Sequence, residues 1–283
     1  MKKISRRSFL AAAAVSVAAA ALTACGGSAS SAASSSSAAS SSSAASSSAA
    51  SSEAAAELTT VEAGKLTMAT NATFPPYEMT TDAGTIEGID VETAQAIADK
   101  LGLELQVDDM EFDSALLSVQ QGKADIVMAG VTVTPERENV MAFSDSYATG
   151  IQSIIVTNDS EIASVEDLSG HLIGTQRGTT GYLFCTDEFG EDSVTAYDSG
   201  LTAVQALNNG QVDCVVIDDA PAQAYVSANP GLKVLDTSYA VEEYAIGMAK
   251  GNTALLDAVN AALAELAEDG TLQAIVDKYI TAE

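Results

Sequence analysis

Cations are scarce in this chain. Its 283 residues hold 12 Lys and Arg against 39 Asp and Glu, a formal charge of -27. Nucleic-acid binding is driven by Lys and Arg neutralising phosphates, so that class of partner is excluded. One His and three scattered Cys leave no Cys/His cluster for a metal, and no cofactor is expected. A Ser-His-Asp triad would have to use His171, and no Gly-x-Ser-x-Gly motif accompanies it. The apolar run Phe9 to Leu22 is too short for a comfortable membrane span.

That run belongs to an address. Lys2, Lys3, Arg6 and Arg7 form a charged head before it, and Leu22-Thr23-Ala24-Cys25 closes it with small residues. This is the pattern of an export signal, residues 1–24. The closing tetrapeptide resembles the lipobox of bacterial lipoproteins. By that resemblance Cys25 is lipidated (palmitate among its acyl chains) and becomes the first mature residue. Ser5-Arg6-Arg7-Ser8-Phe9-Leu10 is also similar to a twin-arginine export motif, although a basic head serves the general pathway too. Residues 28–52 are only Ser and Ala and have no large apolar side chain to offset the entropy of ordering. Residues 25–60 are therefore expected to be a disordered tether, holding the folded part on the order of 30 Å from its anchor. Cleavage removes four of the 12 Lys and Arg and no acid, leaving eight against 39. Such a surface suits solubility outside the cell.

From Lys65 onward the pattern alternates strand and helix. Lys65–Thr70 reads as a strand, and Val91, Ala94, Ile97, Ala98 and Leu101 fall at helical spacing. Residues 103–107 alternate like a strand, and Ser114–Gln121 reads as a helix ended by Gly122. Ala124–Val131 is an apolar run broken only by Asp125, expected to be a buried parallel strand. Thr134-Pro135 opens a short helix as cap and first residue. A second series follows: strands at Ile151–Thr157, Leu172–Gln176, Ser193–Tyr197, Val212–Ile217, Leu232–Leu235 and Tyr244–Ala249. Helices lie between them after Thr180, at Leu201–Asn208 and after Asp219, and two more close the chain at Leu255–Ala267 and Leu272–Tyr279. Alternation of this kind implies parallel sheets flanked by helices, and residues 61 to 283 suffice for two lobes.

Ligands of open α/β sheets bind beyond the carboxyl ends of the strands. There the sequence places Asn71 and Phe74, then Gly130, Thr132 and Arg137, then Gln176, Thr179 and Thr180, and finally Asp218. This set fits a zwitterion. A carboxylate needs a guanidinium fork and free backbone N–H groups at a helix start, which Arg137 and the Gly178–Thr180 turn supply. An ammonium needs a carboxylate and carbonyl oxygens, which Asp218 and Gly130 supply. Each signal alone is weak: Gly-Thr-Thr before a helix is commonly only a cap, and Asp218 suits the cap of the next helix equally well.

Phe74-Pro75-Pro76-Tyr77-Glu78, Gly88-Ile89-Asp90-Val91-Glu92, Thr132-Val133-Thr134-Pro135-Glu136-Arg137, Phe143-Ser144-Asp145 and Gly178-Thr179-Thr180 stand in a shared order and spacing. In these motifs the chain resembles the family 3 extracellular solute-binding proteins, receptors of polar amino-acid ABC importers, over roughly residues 64–280. The resemblance implies an α/β, two-lobed periplasmic-binding-protein-like clamp of type II. Each lobe is then a mainly parallel sheet flanked by helices, joined by two hinge crossovers. Lobe 1 is expected at 61–150 and 246–283, and lobe 2 at 151–245.

By the same resemblance Arg137 takes the ligand's α-carboxylate, aided by the backbone of Thr132, Thr179 and Thr180. Asp218, the Gly130 carbonyl and the Thr132 hydroxyl take the α-ammonium. Phe74 and Phe112 sandwich the ligand's side chain, and Asn71 and Gln176 read its far end. Two neutral amides there argue for a polar, uncharged side chain, whereas Arg177 pointing inward would favour an acidic one. The expected molecule is a monomeric, non-enzymatic receptor, lipid-anchored at the extracellular face of a bacterial cell membrane and partnered by ABC permease subunits. The alternatives are a ligand sensor for a signalling partner and a cyclic-acid dehydratase on the same fold. A dehydratase needs a general acid or base in the cleft, where the sequence offers only Asp218. Cys185 and Cys214 read as packed thiols or as a disulfide, and His171 as solvated.

Overall fold

The computed structural model describes residues 58–236 and 239–280. The export signal, Cys25 and all but the end of the Ser/Ala tether lie outside them. Leu58–Thr60 have no regular structure. The Thr59 carbonyl accepts from Asn252 (3.1 Å), and the Val61 N–H donates to Asp125 (2.7 Å). The chain is thus moored before its first strand begins.

That strand, β1 (Lys65–Thr70), is buried from Leu66 onward. Three short strands follow as a separate antiparallel sheet: β2 (Thr73–Phe74), β3 (Glu78–Thr80) and β4 (Ile86–Glu87). α1 (Ile89–Leu101) turns its Ile89, Ala94, Ile97 and Ala98 stripe inward and ends at Gly102 in the left-handed conformation. β5 (Glu104–Asp109), α2 (Phe112–Gln120) and β6 (Ile126–Val127) complete the first series. α3 (Pro135–Glu138) then leads into β7 (Met141–Thr157), which runs for 17 residues.

The second series is β8 (Ile173–Gln176), α4 (Thr180–Phe189), β9 (Val194–Tyr197), α5 (Gly200–Asn208), β10 (Cys214–Asp218), α6 (Asp219–Ala228) and β11 (Leu232–Val234). β12 (Ala240–Ala249) returns the chain to the first series, where α7 (Thr253–Glu268) and α8 (Thr271–Tyr279) finish it. α8 is tied to α1, because Lys278 and Tyr279 both donate to Glu92.

The main sheet has the strand order β5-β1-β6-β12-β7-β10-β8-β9, with β11 also on β7. β5, β1 and β6 are parallel at one end, and β10, β8 and β9 are parallel at the other. β12 and β7 are antiparallel between them, from Ala240↔Gln152 to Ala249↔Met141, with register shifts near Tyr244. Two parallel sheets are therefore joined through one antiparallel pair of long strands. One apolar cluster includes the wholly buried Leu66, Met68, Ile97 and Ile126. A second, confined to the β10 end, packs Ile154, Ile173 and Val216 around Cys185 and Cys214. Each such side chain contributes about 1.5–3 kcal/mol by leaving water. Burial pushes the Cys214 thiol up to about 12, which makes it unreactive.

The structure corrects several boundaries. The mostly apolar segment Ala124–Val131 is buried except at Gly130, but only Ile126–Val127 are in a strand. Ile151–Thr157 is the second part of β7. The N-cap position of α6 is Asp218 rather than Asp219, and the Asp218 side chain makes no capping bond; its carboxylate is engaged elsewhere.

Candidate functional site

The carboxyl ends of the parallel strands from both ends of the sheet meet at one cavity. Asn71 follows β1, and Phe74 lies on β2. Gly130 and Thr132 follow β6, and Arg137 lies on α3. Gln176 ends β8, Thr179 and Thr180 start α4, Asp218 ends β10, and Phe112 starts α2. All ten residues expected at the site line this cavity, together with Glu78 and Ala129. Its free volume is about 10 Å³, about the least that holds one water. Side chains from the two ends of the sheet already touch across it. Gln176 Nε2 donates to Asn71 Oδ1 (2.8 Å), and Tyr225 OH donates to the Thr73 carbonyl. Anything larger than water therefore enters only if these contacts open.

Arg137 is held by local geometry. Thr134 caps α3 by accepting from the Arg137 N–H (3.2 Å), which fixes the start of the guanidinium's stem. Nη1 donates to the Thr132 carbonyl (2.8 Å) and Nη2 to the Gly178 carbonyl (3.2 Å). The guanidinium lies 5.3 Å from the Phe112 ring centroid, a cation–π arrangement. No carboxylate of the described residues stands within 4.0 Å of it, although the side chain is only 8% exposed. Burial lowers its pKa, opposed chiefly by the charges of Glu242 and Asp218. A guanidinium stays protonated regardless. Arg137 is thus a buried cation without a contacting anion, at the wall of a cavity.

Across the cavity lies a network that the sequence did not reveal. Asp218 accepts from Gln152 Nε2 (2.8 Å) and from Tyr244 OH. The same Gln152 nitrogen reaches Glu242 Oε2 (3.1 Å), which also accepts from Thr132 Oγ1 (3.0 Å) and Thr180 Oγ1 (2.9 Å). Gln152 lies on β7 and Glu242 and Tyr244 on β12, the two strands that connect the ends of the sheet. Tyr244 is wholly buried and packs edge-on to Tyr77, 5.2 Å between ring centroids. Burial raises the pKa of both carboxyls, and for Asp218 the charge of Glu242 adds to it. The one sequence signal for this network is the polar Glu242-Glu243 pair just before the buried run Tyr244–Met248.

Beside the cavity sit two further acids. Asp90 accepts from the Gly130 N–H (3.0 Å), and the wholly buried Glu78 shares a side-chain interaction with Asp90. Burial raises the Asp90 pKa from 3.8 to about 6. Glu78 is raised well above its ordinary value, first by burial and then by the Asp90 charge. The cleft thus contains more carboxyl groups than Asp218, contrary to the sequence expectation. A buried acid whose pKa is raised binds more protons folded than unfolded, so stability falls as pH rises through that interval. For Asp90 the interval runs from 3.8 to about 6; Glu78, Asp218 and Glu242 extend the same sign. The melting temperature is expected to be higher at pH 5 than at pH 8. A flat or rising calorimetric profile across that window would contradict it.

Three other expectations resolve simply. Arg177 is exposed, within 3.7 Å of Asp198, and does not line the cavity. His171 is exposed beside Asp213 (3.2 Å). Cys185 and Cys214 are buried in one cluster as thiols.

Residues 66–282 match the family model described as bacterial extracellular solute-binding proteins, family 3. The chain is 33% identical over 225 residues to the L-cystine-binding protein TcyJ of Escherichia coli strain K12, covering 78% of this chain and 85% of that protein. It is 32% identical over 228 residues to the arginine-binding extracellular protein ArtP of Bacillus subtilis strain 168, covering 77% and 87%. Among solved structures, an ancestral arginine-binding protein bound to glutamine superposes with a TM-score of 0.74 at 39% identity, covering 77% of this chain and 99% of that one.

Proposed function

Because this chain belongs to the bacterial extracellular solute-binding proteins of family 3, we propose that it captures a polar amino acid in the cavity and hands it to the membrane subunits of an ABC importer. The carrying observation is the pairing of a buried guanidinium that no carboxylate of the described residues contacts, Arg137, with a buried carboxyl group, Asp218, on the walls of one cavity. An α-amino acid presents the complementary pair. Its carboxylate takes the Arg137 fork and the N–H groups at the start of α4, and its ammonium takes Asp218 and the Thr132 hydroxyl.

Phe74 and Phe112 flank the ligand's side chain, and Asn71 with Gln176 reads its far end. These two amides bond to each other, which supports a neutral polar side chain: a single donor–acceptor group inserted between them replaces that bond.

Residues 61–150 with 246–283, and 151–245, act as two lobes hinged on β7 and β12. Opposite lobes supply opposite halves of the site, so closure is selective. The protein binds without turnover, as a monomer lipid-anchored through Cys25 at the outer face of the membrane.

Thermal scanning against the twenty amino acids tests this reading. A ligand at 100 Kd adds about 2.7 kcal/mol, roughly 5–10 °C for a domain of this size. A few polar amino acids should give such shifts. A flat panel, with mass spectrometry showing nothing carried through purification, would refute the assignment.

A further inference from the structure

Two hydroxyls on the cavity wall share one acceptor behind it. Thr132 Oγ1 and Thr180 Oγ1 donate to the same oxygen, Oε2 of Glu242, at 3.0 and 2.9 Å. Thr132 and Thr180 line the cavity and Glu242 does not. Glu242 is 6% exposed, and Gln152 Nε2 also donates to that oxygen at 3.1 Å and to Thr180 Oγ1 at 3.4 Å.

A threonine hydroxyl has one proton. Once that proton is given to Glu242, only lone pairs remain to face the cavity. The Glu242 oxygen that accepts from both hydroxyls and from Gln152 Nε2 has no proton to give back, so neither hydroxyl can turn its proton inward without abandoning its bond to Glu242. The two threonines come from opposite ends of the sheet and acquire the same polarity from one group on the connecting strand β12.

We propose that Glu242 is a positioning residue that fixes the Thr132 and Thr180 hydroxyls as acceptors, and thereby makes the cavity select an ammonium over a hydroxyl on the ligand's α-carbon. The inference rests on the amino-acid-binding reading above and adds a selectivity determinant to it. An ammonium brings three donors and no acceptor, which matches two fixed acceptors beside Asp218. An α-hydroxyl brings one donor and leaves an acceptor facing lone pairs.

The test pairs the amino acid that stabilises the wild-type protein most in the panel with its 2-hydroxy acid analogue, both titrated by calorimetry. Wild type should prefer the amino acid. In Glu242→Gln the replacing amide can donate as well as accept, which frees the hydroxyls to turn. The ratio of the two affinities is expected to fall at least tenfold. Thr132→Val with Thr180→Val should collapse the ratio comparably, and adding Glu242→Gln to that pair should change it no further. This background also serves if Glu242→Gln alone does not fold. Equal loss for both ligands would mean that Glu242 only braces the closed form, and an unchanged ratio would mean that it does nothing here; either result overturns the inference. Wild type that binds no amino acid at all would instead overturn the reading beneath it.

Discussion

Arg137→Ala is expected to weaken binding of the cognate amino acid by at least ~2 kcal/mol, about 30-fold, because a ligand carboxylate buried in the closed cavity would lose its only cationic partner. The stability of the ligand-free protein should change little. The guanidinium gives up hydrogen bonds to the Thr132 and Gly178 carbonyls and its place over Phe112. Against that loss, a desolvated charge with no contacting anion is removed. The opposed effects are comparable in size, whereas in the complex both favour arginine. Arg137→Lys should rescue little, since a point charge cannot form the planar fork or reach both carbonyls. Calorimetric titration beside thermal unfolding of each variant separates the two effects. Near-normal affinity in Arg137→Ala would mean that the ligand's carboxylate lies elsewhere.

The largest effect on folding is expected at Gly88, which precedes α1 with φ 139°. A methyl group there would sit 2.1 Å from the Tyr77 carbonyl oxygen and 2.9 Å from Glu78 Cα, so backbone rather than a flexible side chain must yield. The same segment accepts two hydrogen bonds from the start of the helix, Ile89 N–H to Pro76 O (3.1 Å) and Asp90 N–H to Tyr77 O (2.9 Å). Gly88→Ala must break that close approach. The combined backbone strain and overpacking should cost at least ~3 kcal/mol, a melting-temperature loss of roughly 6–12 °C. Gly84→Ala is the control. Its φ is 79° but nothing lies within 4 Å of the added carbon, so only conformational strain of about 1 kcal/mol is expected. Equal losses in both variants would show that the contact at Tyr77 is not the cause. Because Phe74 and Glu78 flank the displaced segment and line the cavity, Gly88→Ala should also lower ligand affinity.

The parts of the site that were legible in the sequence share one property: local punctuation positions them. Thr134-Pro135 fixes the start of α3 and so places Arg137. The Gly178–Thr180 turn opens α4, with Thr179 capping it by accepting from the Tyr182 N–H. Asp218 ends a run of buried apolar residues, the signature of a strand about to reach its carboxyl edge. Local signals misled where burial and strand pairing part company. Ala124–Val131 is mostly apolar because it is buried, yet only Ile126 and Val127 form a strand, while Asp125, Met128 and Val131 add single backbone bonds to Thr67, Ala69 and Ala245. β7 conceals its length behind Ser144-Asp145-Ser146, three polar residues of which Asp145 and Ser146 are exposed.

The chain's own order of residues was enough to give the alternating α/β architecture, the strand ends that meet at the cavity, and the guanidinium and carboxyl group on its walls. The folded molecule alone decided that Glu242 stands behind Thr132 and Thr180, that Gln152 spans two carboxylates, and that Glu78 is sealed in beside Asp90. Glu242 is 110 residues from Thr132, 62 from Thr180 and 90 from Gln152. No periodicity or turn chemistry operates over such separations. They close only when two long strands carry the chain out to a second sheet and back, and the polarity of the cavity wall is set by that return.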